Sequence, residues 1–280
     1  MTTAVALAVL GSALLHGTWN AIAKAIPDRL VASALIGLPN LVLGAIGCVV
    51  FPLPAAASWP WLLSSGVLQA AALILVTAAY ARAEFGRAYP ISRGLSIVVV
   101  AGVSVAVLGE HLSWLQTAGI ATIVAALCTL ALAGGGRAAL HGIGLAVCVA
   151  LVIAGYSLLD GVGVRISGST LGYASWMFAV QGLLLPVVCF AFTRDRRRLL
   201  AGMREHAALG TIGGVLSVVT YGIIVWAQAR APLAMVSALR ETGVVAAVLV
   251  GWLLFKESLT TISVVAASCA VAGIALLRLG

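Results

Sequence analysis

The sequence predicts an all-α integral membrane protein, with ten transmembrane helices arranged as two inverted five-helix repeats (5+5). Composition, unbroken apolar runs and an internal repeat carry that prediction. Of 280 residues, 62% are hydrophobic and 9% charged, and the mean hydropathy is +1.17. A soluble domain carries roughly 25% charged and about 45–50% apolar residues, because its surface must be solvated. A soluble enzyme and a disordered chain are therefore excluded. Backbone in lipid must satisfy its own hydrogen bonds, so it crosses as helices or as closed barrels. A barrel would alternate apolar and polar positions; here the apolar runs are continuous.

A span needs about 20 mostly apolar residues. Ten runs qualify: 4–26, 31–51, 61–83, 88–109, 114–133, 142–163, 171–192, 207–229, 233–255 and 260–278. The first has no basic leader and is too long for a signal-peptide core, so it reads as a retained span. Pro27-Asp28-Arg29 closes it, and Pro52-Leu53-Pro54 closes the second. Ser113-Trp114-Leu115-Gln116 fits a capping box that starts the fifth helix, and Thr260 takes the same place before the tenth. Glu110 and Glu257 precede those starts, near a positive helix end, and read as solvated turn residues. Gly134-Gly135-Gly136-Arg137 closes the fifth run, and Thr193 to His206 is the longest polar insert. Cys48, Cys128, Cys148, Cys189 and Cys269 lie within apolar runs without a CxxC pair, so they read as small buried thiols. Trp59, Trp61 and Trp114 suit an interfacial belt; Gly102, Ser104, Ala267 and Ser268 suit close helix packing.

Residues 93–113 read RGLSIVVVAGVSVAVLGEHLS and residues 240–260 read RETGVVAAVLVGWLLFKESLT. A shift of 147 places Arg93 on Arg240, Glu110 on Glu257, Leu112 on Leu259 and Ser113 on Thr260. With a one-residue gap, Tyr80 falls on Trp226. The chain thus divides into two five-helix halves, 1–136 and 137–280. Five is odd, so the second half enters the membrane from the opposite face. Inverted halves are an architecture of secondary transporters, which rock about a site near the midplane.

His16-Gly17-Thr18-Trp19-Asn20 with Lys24, Tyr89-Pro90-Ile91-Ser92-Arg93-Gly94, Leu239-Arg240-Glu241-Thr242, and the Glu-x-Leu-Ser/Thr turns after Glu110 and Glu257 resemble the drug/metabolite transporter superfamily, EamA type. The resemblance covers essentially the whole chain. It implies transport of a small solute, a cavity lined by helices 1, 3, 4, 6, 8 and 9, and helices 5 and 10 at the periphery. It also implies export, and both termini inside. The charge pattern reads differently. Most of the 16 Lys and Arg residues fall in the loops after odd-numbered runs, led by Arg194, Arg196, Arg197, Arg198 and Arg204. Arg165, Arg230 and Arg278 lie on the other side. The positive-inside rule then places both termini outside.

An ionisable residue inside a span is a functional candidate, since its insertion costs about 2.5–3.5 kcal/mol at a helix centre. Arg93, Asp160, Arg240 and Glu241 qualify. Arg93 and Arg240 are each expected roughly 8–10 Å inside their own helix ends, bracketing the centre, one toward each mouth. Each either binds a carboxylate or phosphate or ties the bundle together. Glu241 is expected to point away from Arg240, its neighbour in sequence, and to meet Arg93 as a gate or proton-linked switch. Asp160 forms a helix-end ion pair with Arg165 or a proton site. Trp19, Asn20, Tyr80, Tyr89, Tyr156 and Trp226 are candidate substrate contacts, as amphipathic groups suited to a wet wall or to the interfacial belt. His16 is a gating candidate or a packed helix contact, and Gln69 is similar.

No HExxH, GxSxG or Walker A pattern occurs, so ATP does not drive the chain directly. No cofactor, metal or nucleic-acid partner is expected. The expected partners are an unidentified small-molecule substrate and the lipid bilayer, in a monomer or homodimer at the plasma (inner) membrane. The sequence therefore reads as a secondary active transporter of a small polar metabolite, an amino acid or other carboxylate-bearing solute. Uptake and a lipid-linked sugar flippase are alternatives of the same fold. A membrane-embedded enzyme or non-transporting partner is the alternative of another class.

Overall fold

Residues 1–82, 85–132, 140–243 and 261–280 are described by the structure, a computed structural model. They form α1 (Thr3–Ala25), α2 (Arg29–Val50), a 3-10 turn (Ala56–Ser58), α3 (Trp59–Arg82), α4 (Phe85–Ala106), α5 (Trp114–Leu132), α6 (Leu140–Ile166), α7 (Thr170–Phe192), α8 (Arg196–Glu205), α9 (Ala207–Gln228), α10 (Leu233–Glu241) and α11 (Thr261–Leu279). No strand occurs among the described residues. α1, α2, α6, α7 and α9 are long and apolar enough to cross a membrane, and α4, α5 and α11 carry shorter apolar stretches. Lys256, Glu257, Leu259, Thr260 and the glycine run Gly134 to Gly136 lie outside the described residues, as do the side chains of Lys24, Tyr80 and Tyr89.

Local chemistry sets the helix starts. Asp28 accepts from the amides of Leu30 and Val31 at 2.9 and 3.4 Å and caps α2. Ser169 caps α7 through Gly172 N–H at 3.1 Å, after a turn in which Gly168 takes φ +68°, a left-handed value that suits glycine. The capping box at α5 is formed: Gln116 N–H donates to Ser113 Oγ at 3.2 Å, and Ser113 N–H to Gln116 Oε1 at 3.0 Å. The polar insert is more ordered than its composition suggests. Asp195 accepts from Arg198 N–H at 3.0 Å and starts α8, an amphipathic helix whose Leu199 is buried with Ile26, Val31, Ala32 and Leu35.

The chain forms two compact units. The first holds Met1–Leu14, Ile74–Leu158 and Arg230–Gly280; the second holds Leu15–Leu73 and Leu159–Ala229. In the second, α2 packs against α7, α8 and α9. The α2–α7 seam is lined by glycine. A Cβ on Gly182 would lie 2.6 Å from Leu41 Cα and 2.8 Å from Asn40 C, and one on Gly44 2.9 Å from Ala179 Cα. Two prolines within helices are each met by a glycine. Pro186 faces Gly37, and Pro39 faces Gly214, with would-be contacts of 2.8 and 2.6 Å. A proline removes one helix hydrogen bond, and a glycine lets the neighbouring helix close over the gap.

In the first unit, α5 packs against α4 and α11. Gly119 and Gly273 meet there, each would-be Cβ 2.8 Å from the other's carbonyl oxygen. These glycines, rather than the expected set, make the close contact. Gly102 has open space around it and Ser268 is exposed, while Ser104 is buried. The thiols also differ from expectation: Cys189 is buried, but Cys128 and Cys148 are exposed, because both lie on outward helix faces. Trp114 is exposed at the start of α5, as an interfacial residue would be.

Glu110 departs from the solvated turn expected for it. Its Oε1 accepts from Leu233 N–H at 2.9 Å and its Oε2 from Ala234 N–H at 3.5 Å. Pro232, the N-cap of α10, offers no side-chain cap of its own, so the orphan amides take their acceptor from the turn after α4.

Gly182→Val is expected to lower the melting temperature of the purified protein, by an overpacking cost of at least about 1–3 kcal/mol. Gly102→Ala, in open space, is expected to leave it equal or higher, since alanine is the better helix former by about 1 kcal/mol. Glu110→Ala is expected to cost about 1 kcal/mol, the usual worth of a cap, and Glu110→Gln less, because one acceptor oxygen stays; a melting series on the three proteins checks both.

Candidate functional site

Two buried polar clusters stand inside the helical units. The first is built on α4, α6 and α10. Arg93 Nη1 donates to Glu241 Oε1 at 3.2 Å. Arg240 Nε donates to the same oxygen at 3.0 Å, and Arg240 Nη2 stands 3.0 Å from it. Arg240 Nη1 donates to Ser157 Oγ at 3.2 Å. The side chains of Arg240 and Glu241 are each 5% exposed and that of Arg93 14%. One carboxylate oxygen thus joins two guanidiniums among apolar helices.

This geometry corrects two expectations. Arg240 and Glu241 do meet. They lie in the last turn of α10, where Thr242 ends the helix with its hydroxyl donating to Leu239 O at 2.6 Å, and the long arginine side chain curls back around the helix to its neighbour. Arg93 and Arg240 also do not sit apart, one toward each mouth; they converge on one atom. α4 begins at Phe85 and α10 at Leu233. At 1.5 Å per residue, Arg93 lies about 12 Å and Arg240 about 10 Å along its helix, and the two long side chains meet at Glu241 Oε1.

The second cluster surrounds Asp160 on α6, whose side chain is fully buried. Tyr221 Oη donates to Oδ2 at 2.6 Å, Tyr173 Oη to Oδ1 at 3.2 Å, and Gln69 Nε2 to Oδ2 at 3.5 Å. Gln69 Nε2 also donates to Ser65 Oγ at 3.0 Å. These donors come from α7, α9 and α3, and all are neutral. Gly163, one turn beyond Asp160, makes the arrangement fit: a Cβ there would strike the Tyr173 ring, 2.7 Å from Cε2. Arg165 Nε donates to the Gln228 carbonyl at 2.9 Å.

The remaining candidates lie as follows. Trp19 Nε1 donates to His16 Nδ1 at 3.2 Å, with the rings edge to face at 5.1 Å. Asn20 Nδ2 donates to His16 O at 2.8 Å. Tyr156 packs with Val149, Ile153, Leu75 and Leu145. Trp226 is half-buried on α9. Tyr80 lies on α3 and Tyr89 on α4. Tyr173 and Tyr221 were not singled out by the sequence. Each is a tyrosine inside an apolar run, and that polar hydroxyl is the one signal the sequence offered.

A crystal structure of another protein is similar to this chain with a TM-score of 0.76 at 19% identity, covering 100% of this chain and 98% of that one. That likeness shows a shared fold. No curated protein matches the chain. The model of the EamA-like transporter family matches residues 140–279. That stretch is half of the chain and carries Ser157, Asp160, Arg240 and Glu241. With apolar helices of membrane-crossing length, the chain is a multi-pass membrane protein and belongs to the EamA-like transporter family, within the drug/metabolite transporter superfamily.

Proposed function

We propose that the protein is a secondary active transporter that exports a small polar metabolite, an amino acid or other carboxylate-bearing solute, across the plasma (inner) membrane by alternating access. Its working parts are two inverted five-helix halves, 1–136 and 137–280. The family match over residues 140–279, which nearly coincides with the second half, supports that division.

The observation that carries the anionic substrate is the convergence of Arg93 and Arg240 on Glu241 Oε1. A solute carboxylate offers the same charge and geometry as the Glu241 side chain, so it can take that side chain's place on the guanidinium forks. Displacement of Glu241 releases the link from α10 to α4. Substrate thereby acquires different contacts in two states, the requirement for it to shift a conformational equilibrium. Trp19, Asn20, Tyr80, Tyr89, Tyr156 and Trp226 are kept as candidate substrate contacts, as amphipathic groups suited to a wet wall. Asp160 and His16 are assigned to gating or proton coupling. Asp160 suits it because neutral donors hold its carboxylate away from water.

A thermal-shift screen of amino acids and organic acids on purified protein is expected to find a stabilising anion, since a ligand stabilises the state that binds it. Stabilisation by neutral or cationic compounds alone overturns the anionic assignment. With that solute in proteoliposomes, Arg93→Glu and Glu241→Arg are each expected to reduce transport at least about tenfold, because breaking a buried ion pair costs about 3–5 kcal/mol. The double variant restores the charge set and is expected to recover most of the activity; no recovery removes the switch. Asp160→Asn is expected to abolish accumulation driven by a proton gradient while counterflow between solute pools persists. Unimpaired accumulation excludes Asp160 as the coupling group.

A further inference from the structure

A groove of about 370 Å³ runs along the outer flank of the α2–α7 seam and ends at Arg196, the first residue of α8. Its walls are apolar: Leu38 and Leu41 from α2, and Leu183, Val187 and Phe190 from α7. Leu38, Leu183 and Val187 are 40%, 56% and 54% exposed, so they stand as open walls rather than core. The groove is a consequence of the glycine seam. Gly182 draws the two helices into backbone contact, and the large side chains on either side are left as rims. From Leu183 to Phe190 the walls extend about 10 Å along the helix, well within one leaflet of a hydrocarbon core of about 30 Å.

The polar end has its own character. Arg194, Arg196, Arg197, Arg198 and Arg204 are all exposed, and their side chains have no ion-pair or hydrogen-bond partner among the described residues. α8 is held against α2 by Leu199 and by Gly202, where a Cβ would lie 2.9 Å from Val31 Cγ2. This fixes Arg196 at the groove mouth. An apolar trough that ends at an unneutralised guanidinium is complementary to one ligand chemistry, a hydrocarbon tail attached to an anionic head.

We propose that this groove binds one anionic phospholipid as a resident ligand, with an acyl chain between α2 and α7 and the phosphate on Arg196. Basic residues beside transmembrane helices recognise anionic headgroups in this way. The assignment is independent of the solute carried by the protein.

Native mass spectrometry and thermal shift on the full-length protein in neutral detergent test it, with phosphatidylglycerol, phosphatidylcholine of the same chains, glycerol phosphate and inorganic phosphate as probes. One phosphatidylglycerol is expected to be retained and to raise the melting temperature; phosphatidylcholine and both chainless phosphates are expected to do neither. Arg196→Gln is expected to weaken retention about fivefold, the worth of one basic residue at an anionic surface. Val187→Trp, which fills the trough, is expected to weaken it with the lipid-free melting temperature unchanged, and Arg204→Gln to leave it unaltered. Equal retention of both lipids, equal stabilisation by the chainless phosphates, or indifference to Arg196→Gln overturns the site. Arg196-dependent scrambling of phosphatidylglycerol in liposomes would make the lipid cargo and overturn its resident role.

Discussion

A charge persists inside an apolar helix bundle only where other groups replace the water it has lost. In the first unit that constraint falls on Glu241, whose one oxygen holds Arg93 and Arg240 together. α10 is placed to satisfy it from both ends. Glu110 seats the N-terminus of α10, and Thr242 ends the helix directly after Glu241. Buried ion pairs contribute little net stability when compared with a good apolar core.

The second unit meets the same constraint without a cation among the donors described for it. Asp160 is held by two phenols and an amide from three different helices. Hydroxyl and amide donors can support a carboxylate and can also rotate away when it takes a proton. The two clusters therefore differ in kind. One joins two guanidiniums through a single carboxylate oxygen, and in the other the donors described around the carboxylate are two phenols and an amide.

Close helix approach explains much of the rest. Gly182, Gly44, Gly119 and Gly273 bring backbones together, as expected where lipid offers no hydrophobic drive for association and packing must supply it. The same closeness throws Leu38, Leu183 and Val187 outward and leaves a trough beside the seam. Arg196 lies at its end because Asp195 starts a helix there that Leu199 anchors to α2. Helix packing and lipid recognition on this flank thus have one origin in the sequence.

The sequence by itself determined the membrane class, most helix positions, the cap at α5 and the presence of Arg93, Asp160, Arg240 and Glu241 inside apolar helices. Each of these follows from local chemistry: apolar runs of bilayer length, a serine and a glutamine three apart, a charge where lipid excludes it. It also anticipated the approach of Glu241 to Arg93. Tertiary structure decided the partners. Tyr173, Tyr221 and Gln69 come to Asp160 from separate helices, Ser157 comes to Arg240 from α6, and Glu110 caps a helix distant in sequence. The order within Arg196–Glu205 and the choice of Gly119 and Gly273 over Gly102 were settled in the same way. Helical periodicity tells which residues share a face of one helix, but crossing points and side-chain reach between helices depend on three-dimensional packing, which no spacing along the chain encodes.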